Sequence, residues 1–245
     1  MVEAVEQISI IGGGIMGSGI GQELARAGID ITIYDIDETA IDDSRYRIES
    51  GKYGLQRAVD EGYISDEEKI AALDRIGFTQ DLRTAVSNAD AIIEAVPEEL
   101  QLKGQIFRKL DSMSDDIPLY SNTSGFPISA IGISVEDPSR VAGTHFYNPV
   151  PVMDAVEIIR TPHADDRTIE LAEIIVEKTD KDPVVINDEP RKYGFINRCV
   201  HAMREEAERL VREGIATEEQ IDTVLKKGYN HPVGIFEFQG HGEEW

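Results

Sequence analysis

The apolar residues arrive in short blocks separated by polar or glycine-rich breaks, not in long runs. Residues 7–11 are apolar and rich in β-branched side chains, which predicts a buried strand. Glycines follow at once. Ile15, Ile20, Leu24 and Ala27 then recur at helical spacing, and Gly28 predicts the helix end. Residues 31–34 form a second apolar strand that closes at Asp35. Asp37 is a plausible N-cap for a polar, mostly helical stretch reaching Gly62. Ser65-Asp66-Glu67-Glu68 opens another short helix. Strands are expected at 76–78, 89–95, 118–121 and 140–146, with helices at 82–86 and 100–113 between them. Such alternation predicts an α/β fold, a doubly wound and mostly parallel sheet with helices on both faces.

The pattern changes near Asn187. Residues 192–214 read as one long helix with Phe195, Cys199, Met203, Leu210 and Val211 as its apolar positions. Thr217 and Gln220 form a capping-box pair ahead of a second helix at 221–227, and His231-Pro232 ends it. Two domains are therefore expected, 1–187 and an all-helical 188–245. Cys199 sits within the helical pattern, which predicts a buried structural thiol.

Composition narrows the class. With 24 Lys+Arg against 47 Asp+Glu the formal charge is −23, which argues against nucleic acid and anionic membranes as partners. An acidic surface carrying 15 Arg and only 9 Lys suits a high-salt cytoplasm, where screening relieves self-repulsion. A single cysteine excludes an internal disulfide and a cysteine-based zinc site. No apolar run approaches the roughly 20 residues of a membrane span, and the acidic start MVEAVEQ does not resemble a signal peptide. A cytoplasmic protein is expected, and no metal is.

The chemistry begins at Gly12-Gly13-Gly14-Ile15-Met16-Gly17, a G-x-G-x-x-G hexad placed between a strand and a helix. Gly12 permits the tight turn, Gly14 admits a pyrophosphate close to the backbone, and Gly17 lets helix pack on strand. Free N–H groups at the helix start, including those of Ile15 and Met16, receive the phosphates, so the chain's negative charge is no obstacle. Asp35, 18 residues beyond Gly17, is placed to bond both ribose hydroxyls and to repel a 2′-phosphate. This is a Rossmann-type site for NAD in preference to NADP, with a flavin as the competing cofactor.

A second informative stretch reads VAGTHFYNPVPVMDAVE over residues 141–157. Oxidising an alcohol requires a base for the hydroxyl proton, and neutral histidine suits that task near pH 7. His145 is the candidate, and Glu157, twelve residues later, is the candidate to orient it. A third stretch, Tyr120-Ser121-Asn122-Thr123-Ser124-Gly125, follows a strand at the ligand edge of the sheet and offers hydroxyl and amide groups to a substrate oxygen.

GGGIMGSGIGQELARAG, YDID, AIIEAVPEELQLK, SNTSG, GTHFYNPVPVMDAVEII and GFINR occur in that order. Together they resemble the short-chain 3-hydroxyacyl-CoA dehydrogenase family, which includes 3-hydroxybutyryl-CoA dehydrogenases. The resemblance runs from about residue 5 to residue 238. It implies NAD-dependent interconversion of an L-3-hydroxyacyl-CoA and its 3-ketoacyl-CoA. His145 then matches the catalytic base, Glu157 its orienting carboxylate, and Ser124 the serine that bonds the 3-oxygen. Asn197 matches an asparagine of the second domain that contacts substrate. Glu98 and Lys103 match a pair near the nicotinamide side of the cofactor. Without the resemblance, both read as solvated residues at a helix start. Asn122 and Asn148 are further cofactor or substrate contacts.

Two departures stand out. The family usually has G-F-x-x-N-R where this chain has Gly194-Phe195-Ile196-Asn197-Arg198, and one residue fewer on a helix turns the asparagine by about 100°. Family members also usually continue beyond the equivalent of Phe238 with several more helices, so the helical domain is expected to be shortened and a homodimer weakened. These departures motivate a second reading, an NAD-binding but catalytically inactive or regulatory homologue. A third is another two-domain β-hydroxyacid or sugar dehydrogenase, but those typically use a lysine base in the helical domain. Arg45, Arg47, Lys52 and Arg57 are either a site for CoA phosphates or a solvated basic face.

Overall fold

The computed structural model describes residues 5–114, 116–188 and 195–238. The chain divides into two compact units, Met1–Lys192 and Tyr193–Trp245. The residues around the expected boundary, 189–194, lie outside those described.

In the first unit the elements run β1 Gln7–Ile11, α1 Ile15–Arg26, β2 Asp30–Tyr34, α2 Glu38–Ser50, α3 Leu55–Asp60, α4 Asp66–Asp74, β3 Ile76–Thr79 and α5 Leu82–Val86. They continue with β4 Ala91–Glu94, α6 Leu100–Asp111, β5 Leu119–Ser121, α7 Ile128–Gly132, β6 Val141–Phe146, β7 Ala155–Arg160, α8 Asp166–Glu177 and β8 Asp182–Asn187. The expected strands and helices are present, with ends displaced by a residue or two. Strands β7 and β8 and helices α7 and α8 go beyond what the apolar pattern predicts.

The eight strands form one sheet in the order β3-β2-β1-β4-β5-β6-β7-β8. All neighbours are parallel except β6 and β7, which run antiparallel. The order reverses between β1 and β4. Connections from these two strands leave to opposite faces there, opening a crevice at the carboxyl ends of the strands. Ile8, Ile10 and Ile11 of β1, and Ala91, Ile92 and Ile93 of β4, are wholly buried, as parallel strands covered on both faces require. Separate apolar clusters fill the two faces. One gathers α1 and α8 residues such as Leu24 and Ile175; the other gathers α6 and α7 residues such as Phe107 and Ile131.

Local caps fix the helix starts. Asp37 accepts from Thr39 N–H at 2.9 Å, and Ser65 with Glu68 forms a complete capping box. Gly28, at φ 87°, follows α1 in the left-handed conformation expected of a helix end.

The second unit contains α9 Phe195–Arg212 and α10 Glu218–Gly228. Thr217 and Gln220 form the predicted capping box. Asp222 of α10 is buried and accepts from Phe236 N–H and Glu237 N–H, both at 3.0 Å, tying the following turn to the helix. The expected burial of Cys199 is not found: the thiol is exposed, and so is Met203. Two helices and a turn offer too little surface to cover an apolar stripe. Among the described side chains of α9 only Ala207 is buried. No helix among the described residues is long and apolar enough to cross a membrane.

Candidate active site

The glycine loop joins β1 to α1 at the crevice. Gly12 has φ 115°, and a Cβ there would lie 2.6 Å from the Ala95 carbonyl oxygen, on the loop leaving β4. A Cβ on Gly17 would lie 1.8 Å from the Gly12 carbonyl oxygen. Both glycines are required by close approach of backbone to backbone. Gly14 differs: a Cβ there would meet nothing within 4 Å. No side chain caps the start of α1, so its N–H groups point toward the open space beside Gly14. Ile15, exposed, and Met16, half-buried, form the first turn. Asp35 at the end of β2 accepts from Gly13 N–H at 2.8 Å through one oxygen and from Asp37 N–H at 3.1 Å through the other. The loop thus combines a backbone cradle, a helix N-terminus and a carboxylate beside them. These features fit a dinucleotide.

Further along the same edge, His145, the penultimate residue of β6, lies directly opposite Glu157 of β7. The twelve-residue separation in sequence is a cross-strand pair in space. His145 Nδ1 lies 3.0 Å from Glu157 Oε2, and both residues are almost fully buried. A carboxylate can only accept, so Nδ1 is the donor, and in the neutral ring Nε2 holds the lone pair. Tyr147, half-buried, donates its hydroxyl to the other carboxylate oxygen, Glu157 Oε1. Burial, then that bond and the charge of Glu157, push the Tyr147 phenol above its ordinary range, so it stays a donor. The Asn122 side-chain oxygen accepts from Phe146 N–H at 2.8 Å, tying the loop after β5 to the end of β6.

A second polar network lies beside the first. Glu94 at the end of β4 has no exposed surface. It accepts from Val96 N–H at 2.7 Å, Lys103 Nζ at 2.8 Å and Ser121 Oγ at 2.7 Å. Burial raises the Glu94 pKa, and Lys103 opposes the shift. Lys103 is 1% exposed and so is not the solvated residue its position suggests. Its ammonium donates to Glu94 and to the Val96 carbonyl at 3.2 Å, and pairs with Glu98 Oε2 at 3.2 Å. Glu98 does lie at the surface, and it accepts from Thr123 Oγ1 at 2.5 Å and Gly125 N–H at 2.9 Å. The chain of contacts from Glu94 through Lys103 to Glu98 therefore clamps the Asn122–Gly125 loop and leaves Ser124 exposed at its tip.

Of the residues singled out from the sequence, the glycines, Asp35, Glu98, Lys103, Asn122, Ser124, His145, Asn148 and Glu157 belong to the first unit. Asn148 is half-buried in the turn after β6. Asn197 lies on the first turn of α9, in the second unit. Ser121, expected with its loop to face a substrate oxygen, is buried and bonded to Glu94 instead; Glu94 and Tyr147 were not singled out from the sequence. The one visible signal was a glutamate closing the otherwise apolar strand AIIE. The basic residues of the 45–57 stretch have partners within the unit. Arg45 stacks over Phe78 at 4.0 Å, Arg47 reaches the Gly13 carbonyl at 3.4 Å, and Arg57 pairs with Glu61 at 2.7 Å.

A dinucleotide cradle on a doubly wound sheet, beside a buried histidine–carboxylate pair, defines a nicotinamide-dependent oxidoreductase. The chain belongs to the 3-hydroxyacyl-CoA dehydrogenase family. The family's NAD binding domain matches residues 7–189 and its C-terminal domain matches residues 194–240. A 3-hydroxybutyryl-CoA dehydrogenase of Mycobacterium tuberculosis is 36% identical over 240 residues, 96% of this chain and 81% of that one. A probable 3-hydroxybutyryl-CoA dehydrogenase of Bacillus subtilis is 39% identical over 232 residues, 94% and 78% of the two chains. The crystal structure of an (S)-3-hydroxybutyryl-CoA dehydrogenase from Ralstonia eutropha superposes with a TM-score of 0.88 at 31% identity, covering 95% of this chain and 80% of that one.

Proposed function

We propose that the protein oxidises an L-3-hydroxyacyl-CoA of the 3-hydroxybutyryl type to its 3-ketoacyl-CoA with NAD. The observation that carries this reading is the His145–Glu157 pair at 3.0 Å, at the carboxyl edge of the sheet that also bears the glycine cradle. NAD, when bound, supplies the acceptor for the hydride that leaves C3. Gly14 and the N–H groups of Ile15 and Met16 would hold its pyrophosphate, Gly12 and Gly17 shape the loop that presents them, and Asp35 would bond the ribose hydroxyls. His145 Nε2 takes the proton from the 3-hydroxyl. Glu157 holds the ring in the Nδ1–H form and stabilises the imidazolium. Ser124 donates to the 3-oxygen, and Asn148 contacts substrate or nicotinamide. Lys103 acts through Glu98, with which it pairs at 3.2 Å.

The reading as an inactive homologue finds no support in the relatives, which are dehydrogenases by name. The test is NADH formation from 3-hydroxybutyryl-CoA across a range of salt. Turnover is the expected outcome, and NADH binding without turnover at any salt would restore the inactive reading. We further propose a cytoplasmic, salt-adapted homodimer. The −23 charge supports salt adaptation, and the exposed Met203 and Val224 of the helical unit support self-association. Melting temperature against KCl and light scattering test the two points.

A further inference from the structure

The His145–Glu157 pair has a third member that the two-residue description omits. Glu157 has two carboxylate oxygens. Oε2 faces His145 Nδ1 and Oε1 receives the Tyr147 hydroxyl. The Tyr147 ring also lies against the imidazole, with centroids 4.6 Å apart and planes tilted by 50°. Two side chains of one three-residue span, His145 and Tyr147, thus share the carboxylate of the cross-strand Glu157, and His145 and Glu157 are almost fully buried.

We propose that Tyr147 is a positioning residue that sets the basicity of His145 by drawing charge from Glu157. This rests on the proposed role of His145 as the base. A hydroxyl bonded to a carboxylate takes part of its negative charge, leaving less to stabilise an imidazolium on the other oxygen. The phenol therefore keeps His145 a weaker base than an unshared glutamate would make it. It returns its proton more readily in the reductive direction and holds less of it at neutral pH in the oxidative one. The bond also fixes the carboxylate plane, and hence the ring it orients.

The other groups around Glu157 leave this assignment clear. Across the sheet, β8 places Val184 opposite Glu157, which brings no charge. From the loop after β5 comes Asn122, which is neutral and bonded to Phe146 N–H. Among the described residues, the charged groups at the strand ends are Asp154 and Asp182, which are exposed, the buried Lys181, whose ammonium donates to the Met153 carbonyl at 2.9 Å, and Arg160, which pairs with Asp166 at 2.9 Å. Burial and the contact with Glu157 keep the Tyr147 phenol protonated throughout the range in which histidine titrates.

The test is Tyr147→Phe, which removes one oxygen and keeps the ring against the imidazole. The readout is the titration of His145 followed by NMR of the labelled imidazole in the full chain, assigned by loss of its signal in His145→Gln. The midpoint is expected to rise by about one pH unit, tenfold in proton affinity. The rising limb of the oxidation rate against pH should move with it. A midpoint that is unchanged or lowered overturns the proposal. In a Glu157→Gln background the same Tyr147→Phe change is expected to leave the midpoint in place, and an equal rise there also overturns it. The NMR titration requires no turnover, so it separates failure of this inference from failure of the proposed activity.

Discussion

The glycine loop and the His145–Glu157 centre share one edge of one sheet, yet they are made from different materials. The loop is backbone. Gly12, Gly14 and Gly17 lie within six consecutive residues, and what matters about them is the space that side chains would fill. The centre is side chain. His145, Glu157 and Tyr147 come from β6, the turn after it and β7, and what matters is charge and hydrogen bonding in a buried place. A backbone site fails by collision and a side-chain site fails by loss of a proton or a partner. The two should therefore respond to substitution in separable ways.

The largest effect expected is on the loop. In Gly17→Val the first added carbon lies 1.8 Å from the Gly12 carbonyl oxygen, and Gly12 is itself held against Ala95. Neither backbone has room to retreat. A loss of about 4 kcal/mol or more is expected, a fall of roughly 10 °C or more in melting temperature. Calorimetry checks it, and a variant that melts with the parent chain would show that the loop is looser than its contacts imply. Next comes His145→Ala. Loss of a general base should lower the oxidation rate by about 100-fold or more. NAD affinity should stay within about twofold, since nothing in the cradle changes. If affinity falls in step with rate, the two regions are one site and the contrast breaks.

The buried carboxylate network offers an intermediate effect with a sign in pH. Glu94 is held above its ordinary pKa by burial, and Lys103 partly offsets that. A carboxyl whose folded pKa is raised contributes stability that is present below the unfolded pKa and is lost as pH rises through the folded one. Lys103→Met removes the offset and strands the carboxylate. It should destabilise the protein by about 3–5 kcal/mol at pH 7. The gap to the parent should narrow as pH falls through the raised pKa of the buried Glu94 carboxyl, where it takes a proton in the folded chain, and be smallest below the ordinary carboxylate range. Chemical denaturation at several pH values measures this. A gap independent of pH would mean that Lys103 contributes packing alone.

The contrast also accounts for what could be read from the chain. The loop was legible because its glycines are contiguous and each spacing has one steric meaning. His145 and Glu157 were legible as candidates, but their contact depends on the antiparallel register of β6 and β7, which no local pattern encodes. Strand β8 escaped for a related reason: DPVVIN carries a proline at its second position, and Val184 and Val185 are both exposed, so it lacks the alternation of a half-buried strand. Lys103 looked solvated because helix position alone decided the matter. Its burial follows from Glu94, a residue on a different element whose charge could not stay in the sheet unpaired. The exposed Cys199 fails in the opposite sense, since helical periodicity marks an apolar stripe without saying what covers it.

Gly14→Ala gives the smallest effect and the sharpest separation. Gly14 has φ −69° and ψ −170°, extended values that alanine adopts freely, and its Cβ would meet nothing within 4 Å. Folding therefore has little reason to register the change. A glycine exchanged for alanine at an uncapped helix start shifts stability by about 1 kcal/mol at most, in either direction. The new methyl would project into the open space that, in the proposed reading, receives the pyrophosphate. NAD affinity should fall by roughly tenfold, about 1.4 kcal/mol, while the melting temperature stays within a few degrees. Titration of NADH fluorescence beside a thermal melt measures both. Unchanged affinity would mean that the cofactor does not approach the backbone at Gly14. A collapse of stability would mean that this glycine, like Gly12 and Gly17, is needed by the fold and not by the ligand.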